Sequence, residues 1–199
     1  MVINSNYNYV KLLFAGKYCK NFDFNKFKSY DYKCIGEFES YKKYLQTSDI
    51  IISYGYGVVF KSDALGKKIF NIHPSVLPYG RGINSIVWSI YFNQPIGYTI
   101  YQINSDRIDE GLVYSSKEIE YDNEQTFKEL FTKITQSAEQ DFMKNFKQYF
   151  KHQSVKEVKD DKNIYYKNKN DAKNINKFLI NGWDTKIKDF LLHSKQKKF

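Results

Sequence analysis

Asp49-Ile-Ile-Ile-Ser-Tyr-Gly-Tyr-Gly57 and, a short gap later, Lys67-Lys-Ile-Phe-Asn-Ile-His-Pro74 decide how this chain reads. Each is a brief run of β-branched and aromatic residues that halts at glycine or proline, the pattern of a buried strand running into a shaped loop. Upstream, Tyr9-Val-Lys-Leu-Leu-Phe-Ala-Gly16 has the same form and serves as an opening strand. Residues 38–46 between them read as a helix. Strands separated by helix-length connections imply βαβ units, so the chain is read as α/β with a largely parallel sheet.

Working outward toward the C-terminus, apolar residues at 83, 86, 87, 90 and 91 have the spacing of a helix packing one face inward. Gly97–Ile103 and Leu112–Tyr114 are strands joined by the acidic turn Asn104–Gly111. Phe127, Leu130, Phe131, Ile134, Ala138, Phe142, Phe146 and Phe150 then form a long helical stripe after a capping pair, Asp122 and Gln125. That stripe is core. From residue 151 the composition shifts to Lys, Asp and Asn, with Ile164–Tyr166 strand-like, Phe178–Trp183 and Ile187–Leu192 again apolar, and a Lys-rich end read as disordered. The chain therefore divides into a main part, 1–150, and a C-terminal extension, 151–199.

Composition narrows the classes. With 42% hydrophobic and 18% aromatic residues in 199, the chain can bury one sizeable core. No apolar run approaches the ~20 residues of a membrane-spanning helix, and the N-terminus lacks the order of a secretion signal, so a cytoplasmic protein is expected. Cys19 and Cys34 lack metal-ligand spacing, so ordinary thiols and no metal are expected. The net charge of +9 suits phosphate partners. It is carried almost wholly by Lys, in a chain crowded with Asn, Tyr, Ile and Phe, so a nucleic-acid partner is not expected. A basic surface equally attracts a small anionic substrate.

All three prolines and seven of ten glycines (55, 57, 66, 80, 82, 97, 111) fall between residues 55 and 111. Loops are shaped there, at the carboxyl ends of the strands where open α/β sheets bind ligands. Asn71 and His73 stand two apart on an extended segment and project from one face. An amide donor for an oxyanion, an imidazole to move protons and a carboxylate, Asp109, to orient it would serve acyl transfer to an amine. Taken singly, His73 also suits a structural hydrogen bond, Asn71 a turn, and Asp109 a turn acid beside Gly111.

The ordered string Asn71-Ile-His-Pro-Ser-Val-Leu-Pro78, Arg81-Gly82, Gly97-Tyr-Thr-Ile100 and Ile108-Asp-Glu-Gly111 resembles the folate-dependent formyltransferase family, from about residue 50 to 130. The resemblance implies a Rossmann-like fold and N10-formyltetrahydrofolate as formyl donor. It implies that Asn71 binds the formyl oxygen, His73 handles protons, and Asp109 keeps that His charged and orders a water. It also implies that the pterin lies against backbone of Tyr54, Gly55, Tyr56, Gly57, Val58 and Val59 and against the loop bearing Asp106. Among these, Tyr54, Tyr56, Tyr79 and Trp88 are candidates to stack on pterin or base, though Trp88 and Trp183 suit core packing better. His152 and His193 read as surface residues.

The loop Pro78, Tyr79, Arg81, Gly82 resembles the branch shared by tRNA and sugar enzymes, and Arg81 is a candidate clamp for a phosphate or carboxylate. Too few residues follow Phe150 for the extra domain of the tRNA enzymes. The expected acceptor is a nucleotide-linked amino sugar, thymidine-linked 4-amino-4,6-dideoxyhexose by preference, with a homodimer formed through the C-terminal part. The family places about a hundred residues before its Asn-x-His where this chain has seventy, so early βα elements are expected to be short or absent. Hydrolysis of the formyl donor, or a non-catalytic basic RNA-binding module, are the alternatives.

Overall fold

A computed structural model describes residues 10–151, 156–158 and 169–195. In chain order its elements are β1 (Lys11–Ala15), β2 (Asp31–Ile35), β3 (Ile50–Tyr54), β4 (Lys68–His73), α1 (Ser85–Tyr91), β5 (Gly97–Ile103), β6 (Gly111–Glu118), α2 (Phe127–Lys151), β7 (Lys156–Val158), α3 (Lys169–Asn176) and α4 (Ile187–Lys195). Residues Ile164–Tyr166, His152, Met1–Tyr9 and the Lys-rich end lie outside the described residues.

The described strands form one sheet in the order β2-β1-β3-β4-β5-β6-β7. β2, β1, β3 and β4 run parallel, as the Gly- and Pro-bounded runs imply. From β4 onward each neighbour is antiparallel, so the sheet is mixed, its parallel half followed by a meander. β3 is buried along its whole length, which explains its unbroken Ile-Ile-Ile run: it has no solvent face to alternate with.

Period-two alternation sorts the strand residues between two layers. Leu12, Phe14, Ile50, Ile52, Phe70, Ile72 and Ile100 face the Phe127, Leu130, Ile134, Ala138, Phe142 and Phe146 stripe of α2 in the principal core. Leu13, Ala15, Ile51 and Ile69 face the other way, under Tyr41, Phe60 and Ala64. Ile175, Phe178, Leu179, Ile187 and Phe190 belong to the principal core as well, so α3 and α4 pack into the same body. Trp88 is in that core, 5% exposed, and His193 is exposed, both as expected.

Several local readings change. α2 begins at Phe127, and its cap is a box one register later than the expected pair: Thr126 Oγ1 accepts from Glu129 N at 3.2 Å while Glu129 Oε2 accepts from Thr126 N at 2.8 Å. Asp122 and Gln125 instead close the turn before it. Residues 38–46 contain only a 3-10 turn, Tyr41–Tyr44. Tyr41 is the one fully buried residue there, and a single anchor cannot support a longer helix. β2, unread in the sequence, is an edge strand exposed at four of its five positions, so it lacks the buried run that marks its neighbours. Phe178–Trp183, read as apolar, is a turn leading into a 3-10 segment, and the described strand of the extension is β7. The connections β1 to β2 and β2 to β3 hold 3-10 turns and no α-helix.

Candidate active site

Sheet register brings the expected residues together. Ala15, Ser53, Asn71 and Tyr101 form one row across β1, β3, β4 and β5, and His73 pairs with Thr99. Asn71 and His73 therefore share the face opposite α2, at the carboxyl end of β4. Asp109 arrives from the turn between β5 and β6, in the left-handed region at φ 53°.

Asp109 is held from several sides. Its Oδ2 accepts from Gly82 N at 2.7 Å and lies 3.6 Å from His73 Nε2, and its Oδ1 accepts from Tyr101 Oη at 3.0 Å. Its backbone carbonyl takes Arg81 Nε at 3.0 Å. His73 Nε2 is 3.0 Å from the carbonyl of Gly80. Both neighbours of Nε2 are acceptors, so that nitrogen carries its proton in either charge state, and Nδ1 is the atom that can gain or lose one. Asn71 Nδ2 donates to Tyr101 Oη at 2.9 Å, leaving its second hydrogen for another acceptor. The cluster is nearly dry, with His73 and Asp109 side chains 8% and 12% exposed, which strengthens each of these contacts. Burial, with the Asp109 charge beside it, pushes the Tyr101 phenol well above its usual value, so it stays a proton donor.

The loop after β4 is fixed by small polar side chains. Thr99 Oγ1 accepts from Leu77 N at 3.0 Å and donates to Ser75 O at 2.8 Å, and Ser75 Oγ donates to Tyr79 O at 2.9 Å. Pro78 and Tyr79 are half-buried in this loop, which contains a cis Leu77–Pro78 bond. Arg81 is 3% exposed, and besides the Asp109 carbonyl its Nη2 lies 3.3 Å from Glu110 Oε2, so the fork braces the turn that carries Asp109. Arg is preferred there because a rigid, always charged fork can satisfy two acceptors in a buried setting.

The segment Tyr54–Val59 leaves the end of β3 next to β4. Tyr54 points into the core, its hydroxyl donating to Glu139 at 3.1 Å, so it is not available to stack on a ligand. Tyr56 donates to the Glu39 carbonyl and packs on Phe60. Two glycines here have a steric cause. A Cβ on Gly55, which sits at φ 64°, would lie 2.3 Å from the Tyr18 ring, and one on Gly57 would lie 2.3 Å from the Phe38 ring. Val58 is half-buried, Val59 is 42% exposed and Asp106 is exposed in its turn. The sequence had not singled out Tyr18, Phe38 or Tyr101; among so many aromatics, Tyr101 is distinguished by the register of the sheet and Tyr18 and Phe38 by their close approach to Gly55 and Gly57. No group of three or more potential metal ligands occurs among the described residues.

The sheet thus carries a half-buried amide and a buried imidazole at the end of β4, met by a half-buried carboxylate from the β5 to β6 turn. Residues 20–145 match the formyl transferase family, and the chain belongs to that family. It is thus an enzyme of one-carbon transfer. It is similar to the formyltransferase PseJ from Anoxybacillus kamchatkensis, solved in complex with UDP-4,6-dideoxy-4-formamido-L-AltNAc and tetrahydrofolate, at 25% identity with a TM-score of 0.78, covering 90% of this chain and 96% of that one. A sugar N-formyltransferase from Shewanella shares the fold at 18% identity and a TM-score of 0.70, over 84% of this chain and 80% of its own. So does an N-formyltransferase from Helicobacter canadensis solved with folinic acid and dTDP-3-aminofucose, at 18% identity and a TM-score of 0.65, over 84% and 73%.

Proposed function

We propose that this enzyme moves the formyl group of N10-formyltetrahydrofolate onto the 4-amino group of a nucleotide-linked 4-amino-4,6-dideoxy sugar. The observation that carries the reading is the convergence of Asn71, His73 and Asp109 at the end of β4, with Tyr101 bridging Asn71 to Asp109 and His73 Nε2 3.6 Å from Asp109 Oδ2. Similarity to PseJ along nearly its whole length favours a sugar acceptor and, between carriers, a uridine diphosphate over the thymidine diphosphate expected from the sequence. The folate site is assigned to the backbone of Tyr54–Val59 and the Asn104–Asp109 loop, beside the exposed Phe38 ring. A homodimer through the C-terminal segment, where Ile180 and Leu192 are 53% and 60% exposed, belongs to the same proposal.

In this mechanism the acceptor amine adds to the formyl carbon and its oxygen becomes an oxyanion. The second hydrogen of the Asn71 amide donates to that oxygen. His73, through Nδ1, takes a proton from the entering amine and returns it to the departing folate nitrogen. Asp109 holds the imidazole through its Oδ2 and favours the cationic form that arises in between. A well-aimed oxyanion donor contributes ~3 kcal/mol to the transition state, and the acid–base group about 100- to 10,000-fold in rate.

The test supplies formyltetrahydrofolate with UDP- and dTDP-linked 4-amino sugars, glycinamide ribonucleotide, charged initiator tRNA or water alone, and follows tetrahydrofolate and formylated product. A formamido sugar is the expected product. Asn71→Ala, His73→Ala and Asp109→Ala are expected to lose at least about 100-fold in kcat with circular dichroism unchanged. Formate release that needs no acceptor would convert the reading to a hydrolase, and near-normal turnover by His73→Ala would end this mechanism.

A further inference from the structure

Tyr101 is buried to 1% exposure, and its hydroxyl sits between two residues of the candidate site. It pairs directly with Asn71 across β4 and β5, so the two side chains leave the sheet on one face. The register of β5 against β6 shifts between Ile100 and Tyr101, with Tyr114 as the extra residue on β6. The hydrogen-bond directions are forced. An ionised Asp109 only accepts, so the Tyr101 proton points to Asp109 Oδ1 at 3.0 Å, and the phenol oxygen must accept from Asn71 Nδ2 at 2.9 Å.

We infer that Tyr101 is a positioning residue that sets which end of the Asn71 amide faces the reacting formyl oxygen and, in the same contact, which Asp109 oxygen is left for His73. An Asn amide can rotate to offer either its carbonyl or its amino group, and only the amino group can stabilise an oxyanion. With one hydrogen engaged by the phenol oxygen, the amide cannot rotate without bringing two acceptors together, so its other hydrogen keeps its aim. Asp109 is constrained in the same way: Tyr101 occupies Oδ1, and Oδ2 is left to Gly82 N and His73. The bridge thus couples the oxyanion donor to the acid–base pair. This rests on the formyl-transfer reading for its kinetic consequence, but the bridge itself can be read without turnover.

Tyr101→Phe keeps the ring and removes only the bridging oxygen. Misaiming a catalytic group by a fraction of an ångström to 1 Å costs up to about 100-fold, so kcat is expected to fall about 10- to 100-fold, with KM for donor and acceptor within about threefold. In the ligand-free protein, the Asn71 side-chain NH2 signal, identified by its loss in Asn71→Ala, is expected to exchange with water at least about 10-fold faster in Tyr101→Phe. A kcat within twofold of an active wild type would overturn the inference and leave the proposed function standing. If the wild type formylates nothing, the proposed function fails, and the NH2 exchange still decides the bridge: unchanged exchange refutes it. Should Tyr101→Phe fail to fold, Tyr101→His, which keeps a ring donor and acceptor, is read by the same exchange measurement.

Discussion

Asp109 sits in a backbone conformation that few non-glycine residues adopt, which costs of order 1–3 kcal/mol and persists only where the surroundings over-determine it. Here Gly82 N, Tyr101 Oη and Arg81 Nε all hold it. Arg81→Lys keeps the charge and loses the fork. We expect it to destabilise the protein by about 2 kcal/mol and to lower kcat at least tenfold with little change in KM, measured by denaturant unfolding and steady-state kinetics. Unaltered stability would mean that the brace is dispensable. Asn71 and His73 were legible in the sequence because a spacing of two puts both on one face of a strand. The inward turn of Arg81 was not, since its partners lie 28 and 29 residues away, across a turn whose shape the sequence does not state. Tyr101 was equally hidden, as one tyrosine among 18.

At the scale of elements, α2 ties the sheet to the rest of the core. Asp141 on this helix accepts from Tyr98, Ser115, Asn145 and Tyr149, joining the helix to β5 and β6. Burial alone would raise its carboxyl, but the donors outweigh that and hold it below the ordinary value. A depressed carboxyl contributes stability above the unfolded-state value, about pH 4, and loses it as pH falls through the folded value. Asp141→Asn is therefore expected to melt below the wild type at pH 7, with the gap closing as pH falls below about 4; a constant gap would refute the linkage. At the start of the helix, Thr126→Ala removes the capping oxygen and is expected to cost about 1 kcal/mol, or roughly 2–4 °C in Tm. The helix itself was legible from its long apolar stripe. The cap was displaced because two consecutive four-residue patterns, Asp122 to Gln125 and Thr126 to Glu129, both resemble one, and only Thr126 adjoins the first helical turn.

For the whole molecule, the +9 charge would act as a field on the anionic nucleotide-linked acceptor proposed above. Raising ionic strength from about 0.05 to 0.5 M is expected to lower kcat/KM about threefold or more, mostly through KM, because the Debye length shrinks to a few ångströms. A flat response would assign the charge no part in capture. The α/β class and the parallel order of the first strands were legible in glycine- and proline-bounded runs. The antiparallel turn of the sheet after β4 was less so, because a short α1 and a crossover helix leave the same periodic trace.

That change of strand direction has a consequence for how the enzyme can vary. Asn71, Tyr101 and Asp109 all lie within a stretch of consecutive, mutually paired strands, β4 to β6. The proposed donor-binding backbone is divided: Tyr54–Val59 leaves the half built from β1 to β3, whereas Asn104–Asp109 is the β5 to β6 turn that also carries the carboxylate. In the proposed enzyme, donor affinity therefore depends on both halves and the acid–base cluster on one. Recombination between relatives at the β3 to β4 connection is expected to alter donor affinity while leaving the meeting of Asn71, Tyr101 and Asp109 intact.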